Sequence, residues 1–267
     1  MPRFSNIKLI VSDMDGTLLD SNHKLASSFF ETYIKLKEKN ILFMAASGRQ
    51  YFSIADKFTP ILDDITIIAE NGAFIKKNGT ELFVEAIDIR LLKGVIEHAR
   101  TLPDTYIVLC GKNGAYIEQD HEEFINYFKE FYSQYFLVDD VLKDSSDSFF
   151  KIAIYNPHGA ETNLHPHFEQ FKKDLQVKIS GEFWVDIMPF NINKGNAINY
   201  IQKLHNISKE ETLVFGDYLN DLEMFEQAGV SIAMENAHPK LKAIATQIAK
   251  SNNDNGVIDI LNSNILK

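Results

Sequence analysis

Short apolar runs alternate with amphipathic stretches from the start of the chain, the rhythm of a parallel sheet with crossover helices. Ile7-Lys8-Leu9-Ile10-Val11-Ser12 predicts a first strand, and Leu25, Phe29, Tyr33 and Leu36 recur at helical spacing in a helix near 25–39. A strand at 41–46, a short helix near 50–58 and a strand at 65–69 follow. The rhythm then changes. Asn78-Gly79, a favoured hairpin pair, predicts two short strands over 73–86. From about 86 to 188, aromatic-rich strands at 105–110, 148–155 and 183–188 are mixed with helices near 88–100, 121–131 and 160–173. The first rhythm returns with a helix from Lys194, a strand at 212–215, a helix near 220–228, a strand at 230–234 and a last helix near 257–263. Ser208 with Glu211 reads as a capping box before the 212 strand. The pattern implies an α/β core with a parallel sheet, residues 1–85 and 189–267, interrupted by an inserted α+β domain, 86–188. The chain is expected to cross between them near 83–87 and 187–191.

Composition narrows the partners. With 27 basic and 37 acidic side chains among 267 residues the net charge is −10, which argues against nucleic acid or an anionic membrane as the main partner. A small anion remains compatible if cations or a metal neutralise its site. Cys110 is the single cysteine, lies in an apolar run and is expected in the core, which excludes an internal disulfide and suits a reducing compartment. No apolar stretch near the N-terminus resembles a signal peptide and none is long enough to span a bilayer, so a cytoplasmic protein is expected. The glycosylation-type sequons at Asn78 and Asn206 are then chance matches.

The chemistry is concentrated at strand ends. Asp13 and Asp15 follow the first strand, with Gly16 and Thr17; Ser47-Gly48-Arg49 follows the second; Gly216-Asp217-Tyr218-Leu219-Asn220-Asp221 follows the 212 strand; Lys194 opens a helix. If the strands are parallel, all four groups meet on the rim where such sheets bind ligands. Taken alone, Asp13-Met14-Asp15-Gly16 is equally a strand followed by an Asp-Gly turn. An EF-hand is excluded, because that loop needs Gly at its sixth position and Glu at its twelfth, whereas Gly16 is fourth and Lys24 is twelfth. Together the groups supply carboxylates for a hard cation such as Mg²⁺, a hydroxyl with adjacent amides for an anion, and a fixed ammonium. That is the equipment of phosphoryl transfer.

The four motifs, their order and the insertion between the second and third resemble the haloacid dehalogenase superfamily of phosphatases, and within it the Cof-type branch (subclass IIB) with its large α+β cap. Ala45-Ala46-Ser47-Gly48-Arg49-Gln50-Tyr51 and Ala69-Glu70-Asn71-Gly72-Ala73 resemble the sugar-phosphate phosphatases of that branch. The resemblance implies a Rossmann-like core and a phosphoric monoester hydrolase acting on small phosphorylated metabolites. It implies Asp13 as nucleophile and Asp15 as acid and base. Ser47, Gly48, Lys194 and Asn220 would bind phosphate. Mg²⁺ would be held by Asp13, Asp217 and the Asp15 carbonyl, with Asp221 toward metal-bound water or Lys194. A carboxylate at Asp15 favours hydrolysis over ion pumping. A sugar phosphomutase and a non-enzymatic sensor of phosphorylated metabolites are the alternatives; a nucleotide oxidoreductase lacks its glycine loop.

Several residues have plainer readings beside these. Lys194 and Asp221 alone are ordinary surface charges, and Ser47 alone is a helix N-cap. Arg49 is as readily solvated or cap-facing as a substrate contact. Gly111-Lys112-Asn113-Gly114 and Asp186 are candidate substrate residues, the former equally a hairpin turn. Glu70-Asn71-Gly72 either lines the crevice or turns the chain. His158, His165 and His167 read as surface residues rather than a metal site. Phe124, Tyr127, Phe128, Phe131 and Tyr132, at helical spacing, read as core, with a dimer contact as the alternative. A monomer or weak homo-oligomer is expected.

Overall fold

The computed structural model describes residues 4–143 and 147–267. It contains two compact units. One comprises residues 1–48, 54–82 and 193–267, and the other 49–53 and 83–192. In chain order, the first unit begins with β1 (Leu9–Asp13), α1 (Ser28–Glu38) and β2 (Leu42–Ala46). The short α2 (Tyr51–Ala55) belongs mostly to the second unit. β3 (Thr66–Ala69) and the strands β4 (Phe74–Lys77) and β5 (Thr80–Val84) follow, with Asn78 and Gly79 both at positive φ, as the hairpin turn requires.

The second unit runs through α3 (Ile89–Ala99), β6 (Tyr106–Gly111), β7 (Ala115–Ile117), α4 (Glu122–Phe128), β8 (Tyr135–Leu137) and β9 (Phe149–Tyr155). It continues with α5 (Ala160–Asn163), α6 (His165–Phe168), β10 (Leu175–Ile179) and β11 (Trp184–Pro189). The first unit resumes with α7 (Lys194–His205), β12 (Thr212–Gly216), α8 (Leu222–Glu226), β13 (Val230–Ala233), α9 (Pro239–Ile244), β14 (Gln247–Ile248) and α10 (Gly256–Ile260).

The first unit is a Rossmann-like α/β fold. Its sheet has the order β14-β13-β12-β1-β2-β3-β4-β5, parallel from β14 to β3 and antiparallel at β4. Every residue of β1 and β12 is buried, as expected of strands covered on both faces. The chain builds rightward from β1 through β2 and β3, then returns to place β12 on the other side of β1. The topological switch point therefore lies between β1 and β12, whose carboxyl ends carry Asp13 and the Asp217 loop.

The second unit is α+β, with a sheet ordered β10-β11-β9-β6-β7-β8 that is antiparallel except between β7 and β8. Residues of α3, α5 and α6 join one buried apolar cluster and residues of α4 another. Phe124, Phe128 and Tyr132 are buried there, with Tyr127 and Phe131 packed alongside, so the aromatic run is core. Cys110 is buried in the same cluster.

The unit edges differ by a few residues from 86 and 188, and hydrogen bonds account for it. Tyr200 Oη donates to the Leu82 carbonyl at 2.6 Å within the first unit. Gln176 Nε2 donates to the carbonyls of Pro189, Phe190 and Ile192 at 2.7, 2.6 and 2.8 Å within the second. The helix expected over 160–173 is broken into α5, α6 and a single 3₁₀ turn. Leu164 leaves helical geometry at φ −121° and ψ −61°, and Pro166, in the first turn of α6, has no N–H to continue the ladder from α5. Among the described residues no helix is long and apolar enough to cross a membrane.

Candidate active site

β1 ends in Asp13, which is 6% exposed, and the chain leaves it through an irregular turn over Met14–Leu18 in which Gly16 has φ +70°. A Cβ on Gly16 would lie 2.3 Å from Asp217 Oδ2, so only glycine lets the loops after β1 and β12 come this close. Thr17 Oγ1 donates to Asp217 Oδ1 at 3.0 Å across the same gap.

Lys194 is the first residue of α7, whose N-cap Asn193 accepts a hydrogen bond from the Asn196 amide at 2.8 Å. Gly195 follows, and a Cβ there would stand 2.3 Å from the Glu223 carbonyl, so α7 rests directly on the backbone of α8. The Lys194 side chain is completely buried. Its Nζ donates to Asp13 Oδ1 and, at 2.7 Å, to Asp221 Oδ1. Asp221 is equally buried, and its Oδ2 accepts from the amides of Asp217 and Tyr218 at 2.9 and 3.1 Å. Neither Lys194 nor Asp221 is the surface charge that its residue type alone suggests.

Burial, the largest influence, pushes the Asp13 carboxyl well above the usual range; Lys194 opposes this, while Asp221 and Asp217 add to it. Burial and then Asp221 raise Asp217 to about 6. Burial works against the Lys194 ammonium, but Asp13 and Asp221 together outweigh it and hold its pKa above the ordinary lysine value. Three carboxylates thus share one ammonium in a nearly dry site, an arrangement that a cation would relieve.

Oxygens of Asp13, Asp217 and Asp221 lie within 4.8 Å of one another, the one such grouping of three metal-ligating residues found among the described residues. All-oxygen donors of this kind suit a hard divalent cation such as Mg²⁺. The Asp15 carboxylate is not in the group; its Oδ1 lies 2.9 Å from His23 Nδ1.

Ser47 and Gly48 follow β2. Ser47 is buried, its amide donates to the Ile68 carbonyl at 2.9 Å, and its carbonyl accepts from the Asn71 amide at 2.9 Å. α2 starts only at Tyr51, so Ser47 is not its N-cap. Asn71, at φ +54° in the turn after β3, accepts through Oδ1 from Asn220 Nδ2 at 3.3 Å and packs against Gly48. Asn71 therefore joins the Ser47 loop to the Asn220 loop. Sequence reasoning left it open between lining the crevice and turning the chain, and gave no role to Thr17, whose partner Asp217 is 200 residues away, or to His23, which reaches Asp15 through the turn between them. The available signals for Asn71 were its place at the end of a parallel strand and the family resemblance of Ala69–Ala73.

The remaining candidates lie in the second unit. Arg49 is 8% exposed; it donates to the Glu130 carbonyl at 3.0 Å and to Ser53 Oγ at 3.4 Å, and its guanidinium lies over the Phe131 ring. A solvated Arg49 is thereby excluded. Asp186 forms a buried ion pair with Lys151, at 3.5 Å. The 111–114 loop turns around Asp147, whose carboxylate accepts from the amides of Lys112, Asn113 and Ser148 and from Tyr116 Oη. Those amides are engaged by the protein itself, as in a hairpin turn. His158 pairs with Asp104 and His165 with Glu169, the surface roles expected of them.

The sequence and the architecture are similar to those of known proteins. Residues 10–261 match the family of haloacid dehalogenase-like hydrolases. A 5-amino-6-(5-phospho-D-ribitylamino)uracil phosphatase of Escherichia coli is 33% identical over 258 residues, covering 96% of this chain and 95% of its own. A Bacillus subtilis protein of the same name is 27% identical, covering 94% and 96%. A solved structure from Streptococcus mutans superposes with a TM-score of 0.88 at 27% identity, covering 98% of this chain and all (100%) of that one. With the family match running through both units and these relatives aligned nearly end to end, the chain belongs to the haloacid dehalogenase-like hydrolases, in their Cof-type phosphatase branch.

Proposed function

We propose that this protein hydrolyses phosphate monoesters of small metabolites, sugar and polyol phosphates foremost, in the cytoplasm, with Mg²⁺ and through an aspartyl phosphate on Asp13. The observation that carries the reading is the buried chain Asp13–Lys194–Asp221 beside Asp217 at the switch point of the sheet. Burying these charges is costly, and such perturbed groups cluster at functional sites.

An Asp13 carboxylate oxygen attacks phosphorus as the ester P–O bond breaks, and Asp15 gives its proton to the departing alkoxide. Asp15 then takes a proton from water as that water attacks the aspartyl phosphate, releasing inorganic phosphate and restoring Asp13. Ser47, Gly48, Asn220 and Lys194 hold the phosphoryl oxygens, and Lys194 also orients Asp13, which it already contacts. Asp13 and Asp217, with the Asp15 carbonyl and Asp221, would hold Mg²⁺, which when bound neutralises charge on the phosphoryl group. Arg49, Lys112, Asn113 and Asp186 are the residues assigned to choosing among esters. The relatives named as ribitylaminouracil-phosphate phosphatases add a ribityl phosphate to the candidates.

The test is phosphate release from sugar, polyol, nucleotide and cofactor phosphates, with and without Mg²⁺, with Asp13→Asn as blank. Mg²⁺-dependent release, fastest on sugar or ribityl phosphates and absent in the variant, is expected. Binding without release by folded protein would leave a sensor, and transfer to a second sugar a mutase.

A further inference from the structure

We infer that His23 is a positioning residue for Asp15, holding the acid/base carboxyl in the rotamer from which it protonates the leaving alkoxide. The inference rests on the phosphatase reading above and extends it to a residue outside the four motifs. His23 Nδ1 lies 2.9 Å from Asp15 Oδ1, and toward an ionised carboxylate it is Nδ1–H that donates.

The imidazole is carried on a rigid turn. Leu19 and Leu25 form an antiparallel bridge, and the His23 amide donates to the Asp20 carbonyl at 2.9 Å. Asp20 Oδ1 accepts from the amides of Asn22 and Lys24 at 2.8 and 2.9 Å. The turn is also docked: the Ser21 amide donates to Asn253 Oδ1 and Asn252 Nδ2 to the Leu19 carbonyl, both at 2.9 Å. The Asp15 side chain, by contrast, is 39% exposed, and its carboxylate is not in the Asp13, Asp217 and Asp221 group. A carboxyl so exposed has several staggered rotamers, and a hydrogen bond from a fixed turn selects among them.

Selection matters because proton transfer needs Asp15 within hydrogen-bond reach of the ester oxygen as the P–O bond breaks. A sugar alkoxide is strongly basic and needs that proton. A nitrophenolate leaves without it. A residue that acts through Asp15 must therefore matter more for sugar esters, whereas a residue that only supports the fold must matter equally for both.

His23 has φ +56°, a conformation that glycine and asparagine accept readily. His23→Gly removes the imidazole without straining the turn, and His23→Asn keeps an N–H donor near the position of Nδ1. The experiment measures kcat and KM of the full chain with Mg²⁺ on p-nitrophenyl phosphate and on the fastest sugar phosphate of the panel. His23→Gly is expected to lose about tenfold or more in kcat/KM on the sugar ester and less than about threefold on the aryl ester, with KM little changed. His23→Asn is expected to regain most of the loss. Equal losses on both esters, no loss on either, or failure of asparagine to restore the sugar ester would overturn the assignment. Wild-type protein that hydrolysed neither ester would instead overturn the phosphatase reading, and this inference with it.

Discussion

Lys194 keeps its charge with no exposed surface because Asp13 and Asp221 both touch it. Removing it as Lys194→Ala leaves buried carboxylates without their cation, and a loss of about 3–5 kcal/mol in stability is expected. Asp13→Asn is expected to behave oppositely. It removes one of three crowded negative charges and leaves Lys194 paired with Asp221, so stability without metal should hold or rise. Both changes should cut turnover by about three orders of magnitude or more. Urea unfolding in EDTA, paired with phosphate release, separates the two; an Asp13→Asn protein as unstable as Lys194→Ala would show that the Asp13–Lys194 pair is a net stabiliser. Asp13, Asp15 and Lys194 stood out in the sequence by the company of their motifs. Their burial and pairings did not, because Asp13 and Lys194 meet across 181 residues of chain, far beyond any local pattern.

At the scale of elements, the seating of α7 on α8 aims Lys194. Gly195 shows how close that seating is, since its missing Cβ would lie 2.3 Å from the Glu223 carbonyl. Alanine favours a helix over glycine by about 1 kcal/mol, whereas forcing a methyl into backbone contact costs about 1–3 kcal/mol. The second effect should win. Gly195→Ala is expected to lower stability and, by tilting α7, to lower kcat more than it raises KM. A stabilised, fully active variant would mean that the helices separate without disturbing Lys194. Long or strongly apolar elements such as β1, α1, α3, β9 and α7 were legible from periodicity. The three-residue β7 and β8 and the two-residue β14 were not, because segments this short carry too few residues to show a period and exist through their neighbours in the sheet; β10 and α9 were missed as well.

At the scale of the whole molecule, protons are linked to stability through Asp217. Asp217, raised from an ordinary 3.8 to about 6, keeps its proton in the folded metal-free protein at pH values where the unfolded chain has released it. Folding therefore takes up protons between about pH 4 and 6, and this contribution falls as pH rises through that window. Mg²⁺ held there, as proposed, would compete with those protons, so any stabilisation it provides should grow over the same interval. Thermal midpoints in EDTA and in Mg²⁺, compared with those of Asp217→Asn, isolate the effect; a wild-type midpoint in EDTA that rose relative to the variant from pH 4 to 6 would contradict it. By itself the sequence determined the α/β core with its inserted α+β unit, and it singled out the four groups of candidate site residues. Parallel strands with apolar runs must bring their carboxyl ends to one rim, and three of the four motifs stand at those ends, while Lys194 opens a helix. Only the tertiary structure decided which carboxylates share Lys194, that Asn71 joins the Ser47 and Asn220 loops, that Asp147 occupies the 111–114 amides, and that Asp15 turns to His23. Each of those is a contact between loops whose conformations follow from packing rather than from any repeating pattern of hydrophobic and polar residues.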